Sequence, residues 1–331
     1  SENNSKRHPQ PVREFSYLRG MKLLAAPMQG YTEAPWRRFH AEVYGPDSGA
    51  ADCYFTPFVR LEGGIPRSRD MRDITYGPGR EKTFTVPQII FRDISEFSIL
   101  TDAVASAGYK RIDLNMGCPF VPQMKKGRGA AFPANIDNLH DIASAITNIG
   151  ERISFSVKMR LGTDSPKLWR HTIEILNTVP LSHICVHPRT ARQAYSGNLY
   201  LAEFGELLEI STHPIVFNGD ILTPSDIDST ISRFPKIAGV MAGRGLLARP
   251  SLIAEWREGR EWNRQNRIEH ILALHDLIYM HYSASLCGDA QILSKIKSFW
   301  DYLEPETGHR ASKAIRKATN IKAYHAAIGM I

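Results

Sequence analysis

RIDLNMGCP, Arg111 to Pro119, is the stretch on which the reading of the fold turns. It is a short apolar run that ends abruptly in Asn115, Met116, Gly117, Cys118 and Pro119, the pattern of a strand running into a functional loop. Seven further runs of this kind surround it. Before it come Leu23 to Pro27 (LLAAP), Cys53 to Val59 (CYFTPFV) and Thr85 to Phe91 (TVPQIIF). After it come Ser154 to Leu161 (SFSVKMRL), His183 to His187 (HICVH), Pro214 to Asn218 (PIVFN) and Gly239 to Gly243 (GVMAG). Each is separated from the next by enough chain for a helix. Runs that are apolar on both faces suit a parallel sheet covered by helices. Eight such units close a (β/α)8 TIM barrel, an α/β fold that needs roughly 250 residues.

The length of 331 residues leaves room for more than the barrel. After about Ser251 the strands cease, and three helical stretches remain over Arg267 to Ser285, Asp289 to Tyr302 and Arg310 to Ile328. The expected organisation is therefore an N-terminal arm or tag remnant over 1–20, a catalytic barrel over 21–250 and a C-terminal helical domain over 251–331. The alternative for the last part is a set of helices that merely caps the barrel.

Composition narrows the classes. No segment reaches the roughly 20 apolar residues of a membrane span, and the polar, basic first 20 residues do not read as a secretory signal. Cys53, Cys118, Cys185 and Cys287 lie far apart, without the close pairs of a zinc site or the density of a disulfide scaffold. A cytoplasmic enzyme without a metal is expected, acting as a monomer. Lysine plus arginine number 41 against 34 acidic residues, a net +7 that favours an anionic partner.

The C-terminal ends of barrel strands are where active sites of this fold are built. The fifth run carries Lys158 and Arg160 two apart, and the sixth His187 and Arg189, so each pair faces one side of its strand. The seventh ends in Asn218, Gly219 and Asp220, and the eighth in Gly243, Arg244 and Gly245. Loops after strands seven and eight frequently bind phosphate, with glycines that let backbone N–H groups approach an anion and an arginine fork to hold it. The alternative is ordinary turns that use glycine for positive φ. Lys158 ends an otherwise apolar run and must find solvent or an anion. It reads as a cation beside the edge of a reduced flavin, as a Schiff-base lysine, or as an exposed strand-end lysine. Cys118 sits in a loop stiffened by Gly117 and Pro119, and a thiol of ordinary pKa serves as general acid as well as nucleophile. Cys185, between apolar neighbours, reads as core.

With these residues in view, the chain resembles the tRNA-dihydrouridine synthases from about Lys22 to Leu252. The resemblance is carried by LAAPMQGYTEAPWRRF at Leu24, PQIIF at Pro87, IDLNMGCP at Ile112, GRGAAF at Gly127, SVKMRLG at Ser156, HPRTARQAYSG at His187, FNGDI at Phe217 and AGRGLLARP at Ala242. It implies FMN reduced by NADPH, hydride delivery to C6 of a uracil and protonation of C5 by Cys118. Pro27 and Met28 would line the flavin ring, Gln88 and Lys158 bond its polar edge, and His187 lie near the ring and ribityl chain. Asn218, Gly219, Asp220, Gly243 and Arg244 would hold the phosphate end, and Asn115 would touch the uracil. The chain departs from the family at Pro122, where a lysine is common, at Ala130 and at Pro188.

A tRNA substrate requires a grip on the backbone around a base drawn out of its stack. Lys313, Arg316 and Lys317 share a helix face by their spacing. They are expected to bind tRNA together with Lys125, Lys126, Arg128 and Arg192 around the mouth, with Arg160 and Arg189 as further substrate contacts. Rival readings are an FMN barrel acting on a small molecule, as a dihydroorotate dehydrogenase or ene reductase does, a nonredox aldolase using Lys158, and an RNA-binding protein without catalysis.

Overall fold

The structure is a computed structural model that describes residues 20–45, 49–75 and 84–331. The expected arm over 1–20 lies outside these residues, Gly20 apart. Nine short parallel strands form one sheet: β1 (Lys22–Ala25), β2 (Cys53–Phe55), β3 (Thr85–Val86), β4 (Gln88–Ile89), β5 (Arg111–Met116), β6 (Ser154–Gly162), β7 (Leu181–Thr190), β8 (Ile215–Asn218) and β9 (Gly239–Ala242). Their order is β3-β2-β1-β9-β8-β7-β6-β5-β4.

The two ends of that order, β3 and β4, are halves of the single third run, separated only by Pro87. β3 pairs with β2 through Tyr54↔Thr85, and β4 pairs with β5 through Gln88↔Asp113. Proline has no N–H to give a ladder, so the run changes partner there, and its two halves close the sheet into the eight-unit barrel. The carbonyl of Pro87 still accepts the Asp113 N–H at 2.9 Å. The second run is likewise shorter than expected. Its strand ends at Phe55, Thr56 still donates to the Val86 carbonyl at 3.1 Å, and after Pro57 the run meets the sheet again at a bridge from Val59 to Ile89.

Alternation along each strand separates two cores. Ile112, Leu114 and Met116 of β5 pack outward with Phe97, Leu100 and Ile142 of the surrounding helices. Leu24, Cys53, Phe55, Val86, Cys185, Val216 and Met241 fill the barrel interior. Cys185 is core, as expected, with its sulfur 3.6 Å from that of Met241. The helices are capped by short polar side chains, which accept from backbone N–H groups left over at the first turn. Asp93 accepts from Glu96, and Thr223 forms a reciprocal box with Asp226.

Beyond the barrel the chain is helical. Arg264–Ser285 is the longest helix, and the second expected stretch is Asp289–Ile296 followed by a tight turn over Lys297–Trp300. The third divides into His309–Lys317 and Ile321–Ile328, because Asn320 starts a new helix by accepting the Ala323 N–H at 2.8 Å. A buried knot in which the His275 ring and the Trp300 indole each lie 2.8 Å from the Tyr324 hydroxyl ties these helices together. Lys295 reaches Glu33 of the barrel at 2.9 Å, and Tyr31 donates to Asp301 at 3.0 Å. The apolar core runs without interruption from the barrel's outer shell into Ile271, Leu274 and Ile278. Among the described residues no helix is long and apolar enough to cross a membrane.

Candidate active site

The C-terminal ends of the strands open onto a cavity of about 650 Å³, within the range that encloses most of a small ligand. Pro27, Met28, Gln88, Lys158, His187, Asn218, Gly219, Asp220, Gly243 and Arg244, the residues expected from the sequence to hold a cofactor, all line this cavity. So do Cys118, Asn115 and Arg160. Residues spread over more than 200 positions meet here because each lies within a strand of one ring or just beyond its C-terminal end.

The cavity wall is cationic. Lys158 is partly exposed into it and makes no hydrogen bond or ion pair among the described residues. Burial pushes its ammonium down from the usual lysine range, while Asp113 and Cys118 pull the other way. Arg160 donates to the carbonyls of Thr190 (3.1 Å) and Ala194 (2.6 Å) and lies 5.2 Å from the ring centre of Tyr195. Arg244 stands over the same ring at 4.7 Å. His187 is nearly fully buried. Its imidazole is held well below the ordinary range by burial first, then by Arg160 and Lys158, so it is neutral at physiological pH. Arg189 donates to His187 Nε2 at 3.1 Å, which leaves the proton of the ring on Nδ1.

Gly219 and Gly243 offer backbone N–H groups without a partner among the described residues. A Cβ on Gly243 would stand 3.0 Å from the Met28 sulfur, and one on Gly219, where φ is +150°, 3.0 Å from Leu199. Side chains at these positions would press on Met28 and Leu199, so the cavity keeps bare backbone there. Unpaired amides, Arg244 and the unpartnered Lys158 are groups that could hold a phosphorylated ring such as a flavin.

Cys118 is half-buried at the rim. Burial pushes its thiol up, against smaller opposing effects from the Phe120 N–H, Arg160 and Lys158. Its carbonyl accepts the Ala130 N–H at 3.0 Å, and Gly129 packs so closely that a Cβ there would stand 2.9 Å from that of Cys118. The demanding glycine of this loop is thus Gly129, with φ +61°, and the departure at Ala130 is harmless. Pro122 falls in the first turn of the short helix Val121–Met124, where a missing N–H costs nothing.

Several expected substrate contacts need correction. Arg128 does not reach the mouth. It is 4% exposed and grips Glu96 through Nη2–Oε1 at 2.6 Å and Nε–Oε2 at 2.9 Å. A buried guanidinium needs a carboxylate, and Glu96 at the start of the neighbouring helix supplies it. Arg189 is 3% exposed and spent on Asp220 and the carbonyls of Ser196 and Gly197. Asp220 lines the cavity, yet it serves Arg189 and Arg244 rather than an anion. Arg192 is exposed and paired with Asp164 at 2.7 Å. Lys125 and Lys126 are exposed without ion pairs among the described residues. On the helix His309–Lys317, Ala311, Ser312 and Ile315 turn inward, while Lys313, Arg316 and Lys317 face solvent together, Arg316 at 3.1 Å from Glu304. The sequence reading passed over Tyr195, although its quoted motif contained it, and Tyr302, which comes from the helical region to line the cavity. No pattern in the chain links Tyr302 to the barrel mouth.

The dihydrouridine synthase (Dus) family model matches residues 23–320. This chain belongs to the dihydrouridine synthase family. It is an oxidoreductase, since making a dihydrouridine means adding hydrogen across a ring double bond. Among relatives, a probable tRNA-dihydrouridine synthase of Aquifex aeolicus is 26% identical over 76% of this chain and 78% of its own length. A tRNA-dihydrouridine(16) synthase of Pseudomonas putida is 28% identical over 78% and 79%. A tRNA-dihydrouridine(20a/20b) synthase of Schizosaccharomyces pombe is 26% identical over 75% and 74%. The solved structure of morphinone reductase shares the fold, with a TM-score of 0.51 over 73% of this chain and 87% of that one at 8% identity. Among the described residues no three His, Cys, Asp or Glu side chains converge as metal ligands.

Proposed function

We propose that the chain reduces uridines in transfer RNA to 5,6-dihydrouridine in the cytoplasm, with FMN as its flavin, NADPH as the reductant and Cys118 as the proton donor. The observation that carries this reading is Lys158, a cation without a partner that faces the same cavity as the thiol of Cys118. A bound flavin would supply the hydride that adds to C6 of the uracil.

The chain's own residues supply the rest. Lys158, with the N–H of Gln88 that Asp113 does not take, would bond the polar edge of the flavin, and its charge would favour a reduced, anionic ring. The amides of Gly219 and Gly243, with Arg244, would hold its phosphate. Neutral His187 would pack beside it. Asn115 meets the uracil from the strand that carries the loop. As the C5–C6 double bond opens, the electron pair left on C5 takes the proton of the Cys118 thiol, and the thiolate regains a proton from solvent. A thiol pushed up by burial stays protonated at neutral pH, which suits a donor better than a nucleophile.

RNA as the substrate is supported by the solvent-facing Lys313, Arg316 and Lys317, and by Lys125 and Lys126 on the catalytic loop. The test is mass-spectrometric mapping of dihydrouridine in tRNA from a strain lacking the gene, complemented with the parent or with Cys118→Ala. The parent restores a missing dihydrouridine and the variant does not. Full restoration by the variant, or no missing site in the deletion, overturns the reading.

A further inference from the structure

Behind the cavity wall, out of reach of anything bound there, Asp113 is fully buried on β5. Its two carboxylate oxygens are both taken. Ser156 Oγ donates to Oδ1 at 2.6 Å and Gln88 Nε2 donates to Oδ2 at 2.7 Å. Both partners are direct cross-strand neighbours, Gln88 on β4 and Ser156 on β6.

A carboxylate only accepts hydrogen bonds, whereas an amide side chain has an accepting and a donating end of nearly the same shape. Asp113 therefore dictates that Gln88 turn its NH2 inward. The Gln88 oxygen then points to Asn115, whose Nδ2 donates to it at 2.8 Å. Asn115 in turn has its oxygen left for the loop, and Oδ1 accepts the backbone N–H of Gly117 at 3.1 Å and of Cys118 at 2.9 Å. The row has one polarity from end to end, because a pure acceptor stands at one end and pure donors at the other. Burial pushes Asp113 up to about 6, against its two hydrogen bonds and the charge of Lys158, and both oxygens accept short hydrogen bonds, as those of a carboxylate do.

We infer that Asp113 is a positioning residue, which sets the orientation of the Gln88 and Asn115 amides and through them pins the loop that carries Cys118. The consequence for catalysis rests on Cys118 being the proton donor, but the geometric claim does not. If Asp113 alone becomes an amide, the row survives, because the new amide oxygen still accepts from Gln88 while its NH2 turns to Ser156 Oγ, a hydroxyl that accepts as well as donates. A second carboxylate at position 115 is what breaks the row, since Gln88 cannot turn its one NH2 to both ends and its oxygen is left against a carboxylate. Exchanging the two end groups restores order, since a carboxylate at position 115 accepts from Gln88 and from the loop at once.

The experiment reads the alkylation rate of Cys118 by iodoacetamide in the full chain, by peptide mass spectrometry, with exposed Cys287 as the internal reference. N115D is expected to raise the Cys118 rate about fivefold relative to Cys287, the effect of losing one or two hydrogen bonds that hold the loop, because a carboxylate then faces the Gln88 oxygen. D113N alone stays within about twofold of the parent. The exchanged pair D113N/N115D returns the rate to within about twofold of the parent, a non-additivity that independent effects do not produce. An unchanged rate in N115D, or a pair as fast as N115D, overturns the inference. Should N115D not accumulate as folded protein, the pair must recover both folding and the parent rate, and failure to do so overturns it equally. Alkylation needs no turnover, so a failure of the uridine assignment would leave this result standing.

Discussion

Arg189 holds Asp220 with two hydrogen bonds, Nη2–Oδ2 at 2.7 Å and Nη1–Oδ1 at 3.0 Å, and Arg244 adds a third at 3.2 Å to the same Oδ1. The carboxylate stands in the loop after β8, with its backbone in the left-handed region at φ 50°. It keeps one buried and one half-exposed guanidinium at the end of the cavity proposed to hold the flavin phosphate. Asp220→Ala leaves Arg189 charged and unpaired in the wall, at a cost of about 1–3 kcal/mol. The purified variant is expected to carry less than half the flavin of the parent, read from the ratio of flavin to protein absorbance. Equal flavin content would show that the pair does not hold this loop.

A second expectation concerns pH. As the proposed acid, Cys118 would act in its protonated form, so the reaction would be lost as pH rises through the thiol pKa, which burial places above the ordinary range near 8.5. The single-turnover rate of uridine reduction by pre-reduced enzyme should stay level through about pH 8.5 and fall only above it. A midpoint below pH 8 would remove Cys118 as the acid.

The ion pair of Arg128 and Glu96 is structural. Removing one partner of such a buried pair costs about 3–5 kcal/mol, so Arg128→Ala should lower the midpoint of chemical denaturation markedly, and Lys125→Ala should leave it unchanged. Comparable stability of the two variants would contradict the burial of Arg128.

Lys313→Glu with Lys317→Glu reverses two solvent-facing charges without touching the buried side of their helix. Binding to tRNA should weaken about tenfold or more at low salt and depend less steeply on salt, while flavin reduction by NADPH stays at the parent rate. Titration by filter binding at several salt concentrations reads this directly, and unaltered affinity would exclude this helix face from the RNA site.

Acid stability depends on two histidines kept neutral by burial. His40 is pushed down to about 4 and His183 to about 3. His40 lies 2.7 Å from the Tyr54 hydroxyl and 2.8 Å from the Pro250 carbonyl. As pH falls below about 6.5 the unfolded chain takes up protons that the folded chain refuses. Stability should therefore drop by about 1.4 kcal/mol per pH unit for each histidine, until the folded pKa is reached. Denaturation midpoints measured at pH 7 and pH 5 test the sign, and a higher midpoint at pH 5 would refute it.

The sequence by itself determined the barrel and the ring of residues at its mouth. Strand periodicity and the polar residues just beyond each run are local properties, and in a closed parallel barrel every strand ends at the same rim, so Cys118, Lys158, His187 and Gly243 had to meet. Tertiary structure alone decided what each charge does there. Arg128 and Lys125 stand three positions apart in one basic loop, yet Glu96, 32 positions before Arg128, takes one and leaves the other in water. Pro87 looks like an interruption within a strand and proves to be the point at which the sheet closes, because a missing N–H matters only once two edges compete for the same run. The polarity of Asp113, Gln88 and Asn115 is likewise invisible along the chain, since it exists only when β4, β5 and β6 lie side by side.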